Sequence, residues 1–190
     1  MPSVLDSPAI RKQVHLVTVE DYHAFGLAGF LNEDVELLRG IIVQKMSKSP
    51  LHDIVLRLLA RKLNRALPET YDVRVESPLT LHESEPEPDV SIVKWEPKQR
   101  LSSHPTTALL VAEVAVTSIA VDEEKTTIYA EAGIPDYWLI RPETRELDVY
   151  REPSANGYGS RTTLRDGDTL CAVALPGIEF AVSDIFPPKD

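Results

Sequence analysis

The chain is short of cysteine, of long apolar runs and of positive charge, and each shortage removes a class of protein. One cysteine, Cys171, in 190 residues leaves no internal disulfide framework and no multi-cysteine metal site. No apolar stretch approaches the roughly 20 residues that a membrane-crossing helix requires. The first residues, "MPSVLDSPAIRKQV", lack the basic start and apolar run of a secretory signal. A cytoplasmic protein is therefore expected, with no membrane partner. Lysine and arginine number 20 against 30 acids, for a net charge of −10. Phosphate recognition leaves a basic footprint, so any activity on nucleic acid must concentrate its positive charge locally.

What is present is ordinary for a globular chain: 43% hydrophobic and 26% charged residues. That composition and length predict one domain over residues 1–190, with 1–16 as a loosely held arm. Thr18 with Asp21 three positions later predicts a short helix that closes on glycines. Two apolar runs around Arg39-Gly40 predict a β-hairpin over about 35–46. "SPLHDIVLRLLARKLNRAL" is the clearest helix, with Ser49 as cap and Pro50 in the first turn. Its predicted apolar face is Leu51, Ile54, Val55, Leu58, Leu59, Leu63 and Ala66. Arg57, Arg61 and Arg65 recur along another side, either as ordinary solvated charge or as a ridge that contacts phosphate.

Beyond Pro68, "YDVRVESPLTL" reads as a half-exposed strand, residues 89–94 as a buried one, and "ALLVAEVAV" as a strand covered on both faces. "SIAVDEEKTTIYAEAG" is helical, with Thr117 or Ser118 as cap and with Asp122 and Glu123 suited to the helix dipole. "DYWLI" and "RELDVYR" follow as hairpin-linked strands. The strand–helix–strand order over 108–140 is a βαβ unit, which makes its two strands parallel neighbours. The remaining strands look hairpin-linked, so the sheet is expected to be mixed. The C-terminal part reads as short strands and turns. His15, His23, His82 and His104 have no partner at metal-ligand spacing and read as surface residues. Tyr137 and Trp138 read as core aromatics, Cys171 as buried packing, and Glu85 and Glu87 as loop acids.

Two acids stand out because they lie where cores begin. Asp89 is the last polar residue before Val90, and Glu113 lies inside an apolar strand, where an ionised carboxylate is costly unless paired or bound to metal. Lys125 follows on the crossover helix, with Tyr129 one turn further on the same face. Two carboxylates and a lysine suit metal-assisted phosphodiester hydrolysis: Mg²⁺ prefers oxygen ligands, activates water, and a nearby lysine stabilises developing charge. The same residues also permit a structural reading, in which Asp89 ends a loop and Glu113 pairs with Lys125 without any metal.

Taken in order, "VELLRGIIVQKMSKSPLHDIV", "PEPDVSIV", "VAEVAVTS", "DEEKTTIYAEAGIPDYWLI" and "LPGIEFAVSDIF" resemble the Uma-type endonuclease family of the PD-(D/E)XK superfamily. The resemblance runs from about Thr18 to Phe186. It implies a restriction-endonuclease-like α/β fold: a mixed central sheet flanked by helices, an N-terminal β-hairpin and C-terminal short strands. It also implies a divalent metal, Mg²⁺ or Mn²⁺. Asp89 matches the aspartate of the Pro-Asp motif and Glu113 the second acid, with the Val114 carbonyl as a further ligand. The superfamily's usual lysine position is Ala115 here, and Lys125 sits where Uma-type sequences carry theirs. Glu36 matches an early glutamate that completes the acidic cluster, although the acid that often follows the hairpin glycine is Ile41 here. His52 matches the histidine of the Ser-Pro-x-His helix start, and it and Tyr129 are accessory candidates. The implied activity is hydrolysis of nucleic acid, DNA foremost, by a metal-activated water that Lys125 positions. The alternative is a non-catalytic module of the same fold that acts as a homodimer or as a partner of another protein. Ala115 and the acidic net charge speak for that alternative, and the loop "KWEPKQRLSSHP" could serve a dimer.

Overall fold

The computed structural model describes residues 8–32, 34–45, 48–96, 98, 101–116, 119–175 and 177–189. Its elements are α1 (Pro8–Arg11), α2 (Val19–Leu27), β1 (Val35–Leu38), β2 (Ile41–Gln44), α3 (Pro50–Ala66), β3 (Tyr71–Val75), β4 (Val90–Lys94) and β5 (Leu110–Val114). They continue with α4 (Ile119–Glu131), β6 (Asp136–Arg141), β7 (Glu146–Ser154), β8 (Gly157–Leu164), β9 (Thr169–Cys171), β10 (Glu179–Ala181) and a 3₁₀ turn, Val182–Ile185. Six strands form one sheet in the order β3-β4-β5-β6-β7-β8, while β1–β2 and β9–β10 pair separately. Within the large sheet β5 and β6 are parallel and every other pair is antiparallel. The mixed α/β sheet and the crossover are thus as the sequence predicts.

Local chemistry accounts for the element ends. At the β1–β2 turn, Arg39 and Gly40 both have positive φ, 48° and 73°, the conformation that lets a two-residue turn follow the twist of its strands. A Cβ on Gly40 would lie 2.7 Å from the Leu16 Cβ, so the turn also needs glycine for space. Thr18 and Asp21 close a reciprocal capping box on α2. The Ser49 hydroxyl accepts from the His52 N–H at 3.2 Å, with Pro50 in the first turn of α3. Thr117 and Ser118, the expected caps of α4, lie outside the described residues, as do residues 1–7 of the expected arm.

The sheet has two cores, separated by the alternation of its strands. Val90, Ile92, Leu110, Ala112, Val114, Trp138 and Ile140 pack with Val55, Leu59 and Leu63 of α3. Val93, Val111, Ala115, Tyr137 and Leu139 face the other way, toward Ile128 and Tyr129 of α4. Glu113 shares this second orientation, which is why it meets α4 side chains.

Four expectations need correction. The buried face of α3 is His52, Val55, Leu56, Leu59 and Leu63, while Ile54 is 42% exposed and Ala66, at the end of the helix, is exposed too: at 3.6 residues per turn Leu56 falls on the side of Val55 and Leu59, and Ile54 on the opposite one. Cys171 is exposed, because Leu170 is the residue of the β9 edge that faces the core. β8 is not short but spans eight residues and extends the main sheet; none of its residues is fully buried, so its sequence carries no apolar alternation. Glu85 is buried rather than a solvated loop acid. Its carboxylate meets the His23 imidazole at 2.8 Å and accepts from the Thr80 hydroxyl at 2.5 Å. Since α2 buries none of its residues, this pair and the Tyr22 hydroxyl on the Val35 carbonyl, 3.0 Å, help tie that helix down.

Candidate functional site

Asp89 and Glu113 are brought together by strand register. Val90 stands opposite Ala112 in the antiparallel β4–β5 pair, so the next step outward sets Asp89 beside Glu113. Each side chain grips the other strand's backbone. The Val114 N–H donates to Asp89 Oδ2 at 2.7 Å, and the Asp89 N–H donates to Glu113 Oε2 at 3.1 Å. Pro88 restricts the backbone just ahead of Asp89.

The other groups arrive from three directions. Lys125 and Tyr129, one turn apart on α4, both donate to Glu113 Oε1, at 3.1 Å and 2.8 Å. From β1, Glu36 places Oε1 3.0 Å from Lys125 Nζ and accepts the Glu87 N–H on Oε2 at 3.1 Å. The hairpin is held in place by Leu37 and Glu85, which exchange backbone hydrogen bonds at 3.3 Å and 2.7 Å. From the first turn of α3, His52 Nε2 lies 3.0 Å from Asp89 Oδ1, and its Nδ1 is buried without a hydrogen-bond partner.

These groups line a cavity of about 100 Å³. Its walls carry five acids, Glu36, Glu87, Asp89, Glu113 and Asp122, against Lys45, Lys48 and Lys125. Glu113 shows the strain of that balance: its pKa rises from 4.5 to about 8. Burial is the main cause, Lys125 opposes it, and Asp89, Asp122 and Glu36 add to it. Burial pulls the Lys125 ammonium down, but Glu113, Glu36 and Asp122 together outweigh it and hold the amine well above its usual range. Burial, and then the Glu113 charge, keep the Tyr129 phenol protonated far above its ordinary value.

The donor set suits a hard divalent ion. Among the described residues no three His, Cys, Asp or Glu side chains converge at metal-ligand spacing. An ion here would take Asp89, Glu113 and backbone oxygen and complete its shell with water, as Mg²⁺ commonly does. The surplus of buried negative charge and the raised Glu113 favour a cation. A cavity of this size holds a few waters, whereas enclosing a drug-sized molecule takes roughly 300 Å³ or more.

Asp89, Glu113, Val114, Lys125, Glu36, Tyr129 and His52 therefore meet at one place. Arg57, Arg61 and Arg65 do not join them. All three are exposed on α3, Arg57 donates to Asp53 at 2.8 Å, and none lines the cavity. The sequence reading missed Asp122, Glu87, Lys45 and Lys48. Asp122 lies one turn before Lys125, a spacing that could have marked it. Glu87 is two residues before Asp89 in an extended segment, and Lys45 and Lys48 sit in "QKMSKSP", just ahead of α3.

A family described as "Uma2: Putative restriction endonuclease" matches residues 19–183. Among solved structures, a putative nuclease belonging to DUF820 from Anabaena variabilis ATCC 29413 is similar, with 17% sequence identity and a TM-score of 0.73. The match covers 89% of this chain and 97% of that one, and it is a likeness of fold. No curated protein matches the chain. No helix among the described residues is long and apolar enough to cross a membrane.

Proposed function

The chain belongs to the Uma2 family, described as putative restriction endonucleases, and from that premise we propose that it is a divalent-metal-dependent nuclease acting on DNA. The observation that carries this reading is the mutual clasp of Asp89 and Glu113, with Lys125 on Glu113, beside a small cavity lined by acids. Asp89, Glu113 and the Val114 carbonyl would hold Mg²⁺ or Mn²⁺. Such an ion polarises phosphate and makes hydroxide available from water near neutral pH.

The chain's own residues prepare the rest. Lys125 stays charged between Glu36 and Glu113, and in this reading it would steady the attacking water or a non-bridging phosphate oxygen. Glu36 keeps that ammonium in position. Tyr129 occupies one lone pair of Glu113, and His52 restrains Asp89 through Oδ1. A preset arrangement of this kind supplies rate because it needs no reorganisation during reaction.

The test is incubation of DNA with Mg²⁺ or Mn²⁺ for the wild type, Asp89→Ala and Lys125→Ala. Cleavage by the wild type and its loss in both variants is expected; cleavage unchanged in both overturns the assignment. A non-catalytic module is the second reading, favoured by the buried Ala115 at the superfamily's usual lysine position. Calorimetry that finds no Mg²⁺ or Mn²⁺ binding would select it.

A further inference from the structure

We propose that Lys45 and Lys48, and not the arginines of α3, form the phosphate-binding rim of this site; the inference rests on the nuclease reading above. Five carboxylates line the cavity, so an approaching polyanion meets repulsion unless cations stand at the mouth. Of the three lysines among its described lining residues, Lys125 is buried and taken up by Glu36 and Glu113. Lys45 and Lys48 are the two that reach solvent, with side chains 20% and 41% exposed.

Their partners station them at the Asp89 strand. Lys45 Nζ is 3.0 Å from Glu87 Oε1, two residues before Asp89, and Lys48 pairs with Glu76. Glu76 donates its N–H to the Asp89 carbonyl at 3.0 Å and does so with φ at 47°, a left-handed backbone that a side-chain-bearing residue seldom adopts. Glu76 thereby ties the Lys48 pair to the backbone of the Asp89 strand. The exposed Lys48–Glu76 pair contributes little to stability, so a backbone phosphate can displace Glu76 at small cost, whereas at the half-buried Lys45–Glu87 pair phosphate would take over an ammonium already held in place. Before substrate arrives, Glu76 and Glu87 keep the rim neutral, which fits a chain of net charge −10 that must localise its positive charge. The contacts are to phosphate and therefore carry no base preference.

The experiment is fluorescence anisotropy of a short labelled duplex DNA across a salt series, with Ca²⁺ in place of Mg²⁺, for the wild type, Lys45→Gln, Lys48→Gln, Lys48→Arg and Glu76→Gln. An Arg57→Gln/Arg61→Gln/Arg65→Gln variant is run beside them, and thermal unfolding confirms that each protein is folded. Each lysine removed should lower the slope of log K against log salt by about 0.9 and weaken binding roughly tenfold near 0.1 M salt. Lys48→Arg should bind as wild type, and Glu76→Gln, which frees Lys48, should bind more tightly; a merely structural pair would lose in both directions. The proposal is overturned if the lysine variants keep the wild-type slope, or if the arginine variant loses it instead. In that event cleavage that still depends on Asp89 leaves the nuclease reading standing. A wild type with no affinity for the duplex overturns both.

Discussion

Val114 donates its backbone N–H to Asp89 Oδ2 at 2.7 Å, so the aim of that carboxylate is set by the register of β4 on β5 and not by its own rotamer preference. The reciprocal bond from the Asp89 N–H to Glu113 makes the two acids one unit. Substitution at either position therefore acts on the fold and on the proposed ion binding together, and the two effects can be separated.

At Asp89 the separation uses two variants. Asp89→Ala leaves the Val114 N–H buried without an acceptor, a loss of about 1–3 kcal/mol. Asp89→Asn keeps an oxygen for that N–H while it removes the charge and turns an amide NH2 toward His52. Chemical denaturation should place Asn within about 1 kcal/mol of wild type and Ala well below it, while calorimetry should find Mg²⁺ binding lost in both. Mg²⁺ affinity retained by Asp89→Asn would remove Asp89 from the proposed ligand set.

Lys125 is the counter-charge for two buried carboxylates. Lys125→Met should destabilise the metal-free protein by about 3–5 kcal/mol at pH 8, the loss that follows removal of one partner from a buried ionic set. At pH 5 the loss should shrink, because Glu113 then carries a proton. Denaturant titrations in EDTA at the two pH values decide it. An equal loss at both would mean that Lys125 supports the fold through packing alone.

The raised pKa of Glu113 gives a pH dependence whose sign is fixed. Between its ordinary value of 4.5 and about 8 the folded protein binds a proton that the unfolded chain has released. Stability from this group is complete below about pH 4.5, declines as pH rises toward 8 and is level beyond, with a limit of tenfold in the folding constant per pH unit. In EDTA, Glu113→Gln should gain stability relative to wild type as the pH rises from 5 to 8, because only the wild type loses the contribution of that proton. Parallel curves for the two proteins would contradict the assignment.

Gly40 tests the hairpin that delivers Glu36. In Gly40→Ala the left-handed backbone at φ 73° costs about 1–2 kcal/mol, and the new Cβ meets the Leu16 Cβ at 2.7 Å and the Val17 oxygen at 3.1 Å. A lower Tm with weaker Mg²⁺ binding is expected. A lower Tm with Mg²⁺ affinity intact would show that Glu36 does not need this turn.

The elements that sequence patterns located are those whose signal is local. The β1–β2 turn, the Ser49-Pro50 start of α3 and the apolar β5 followed by α4 each carry their chemistry within a few residues. The convergence of Asp89, Glu113, Lys125, Tyr129, His52 and Glu36 was legible through ordered motifs, since acids inside apolar runs are costly without a reason to be there. What escaped depends on partners distant in sequence. Glu85 is buried because His23 and Thr80 reach it from elsewhere, and nothing in "ESEPEP" distinguishes it from Glu83. The α3 arginines suggest a ridge, besides ordinary solvated charge, because helical spacing is visible in a sequence. Lys45 and Lys48 come from a strand end and the connection beyond it, where no period marks them, and only the fold shows that they face the cavity. β8 has glycines and polar residues on both faces, so pairing with β7 defines it where hydrophobicity does not.

The Glu36–Lys125 contact also has a bearing on how the molecule is made. Glu36, Glu87, Asp89, Glu113 and Asp122 all leave the ribosome ahead of Lys125. The Glu113–Lys125 pair closes across a single crossover, whereas Glu36 must be carried back over almost half the chain, and closure entropy rises with that distance. A nascent chain halted just short of Lys125 holds the acids of the pit with no ammonium between Glu36 and Glu113. Emergence of one lysine during translation is thus the event that lets the two carboxylates be buried side by side.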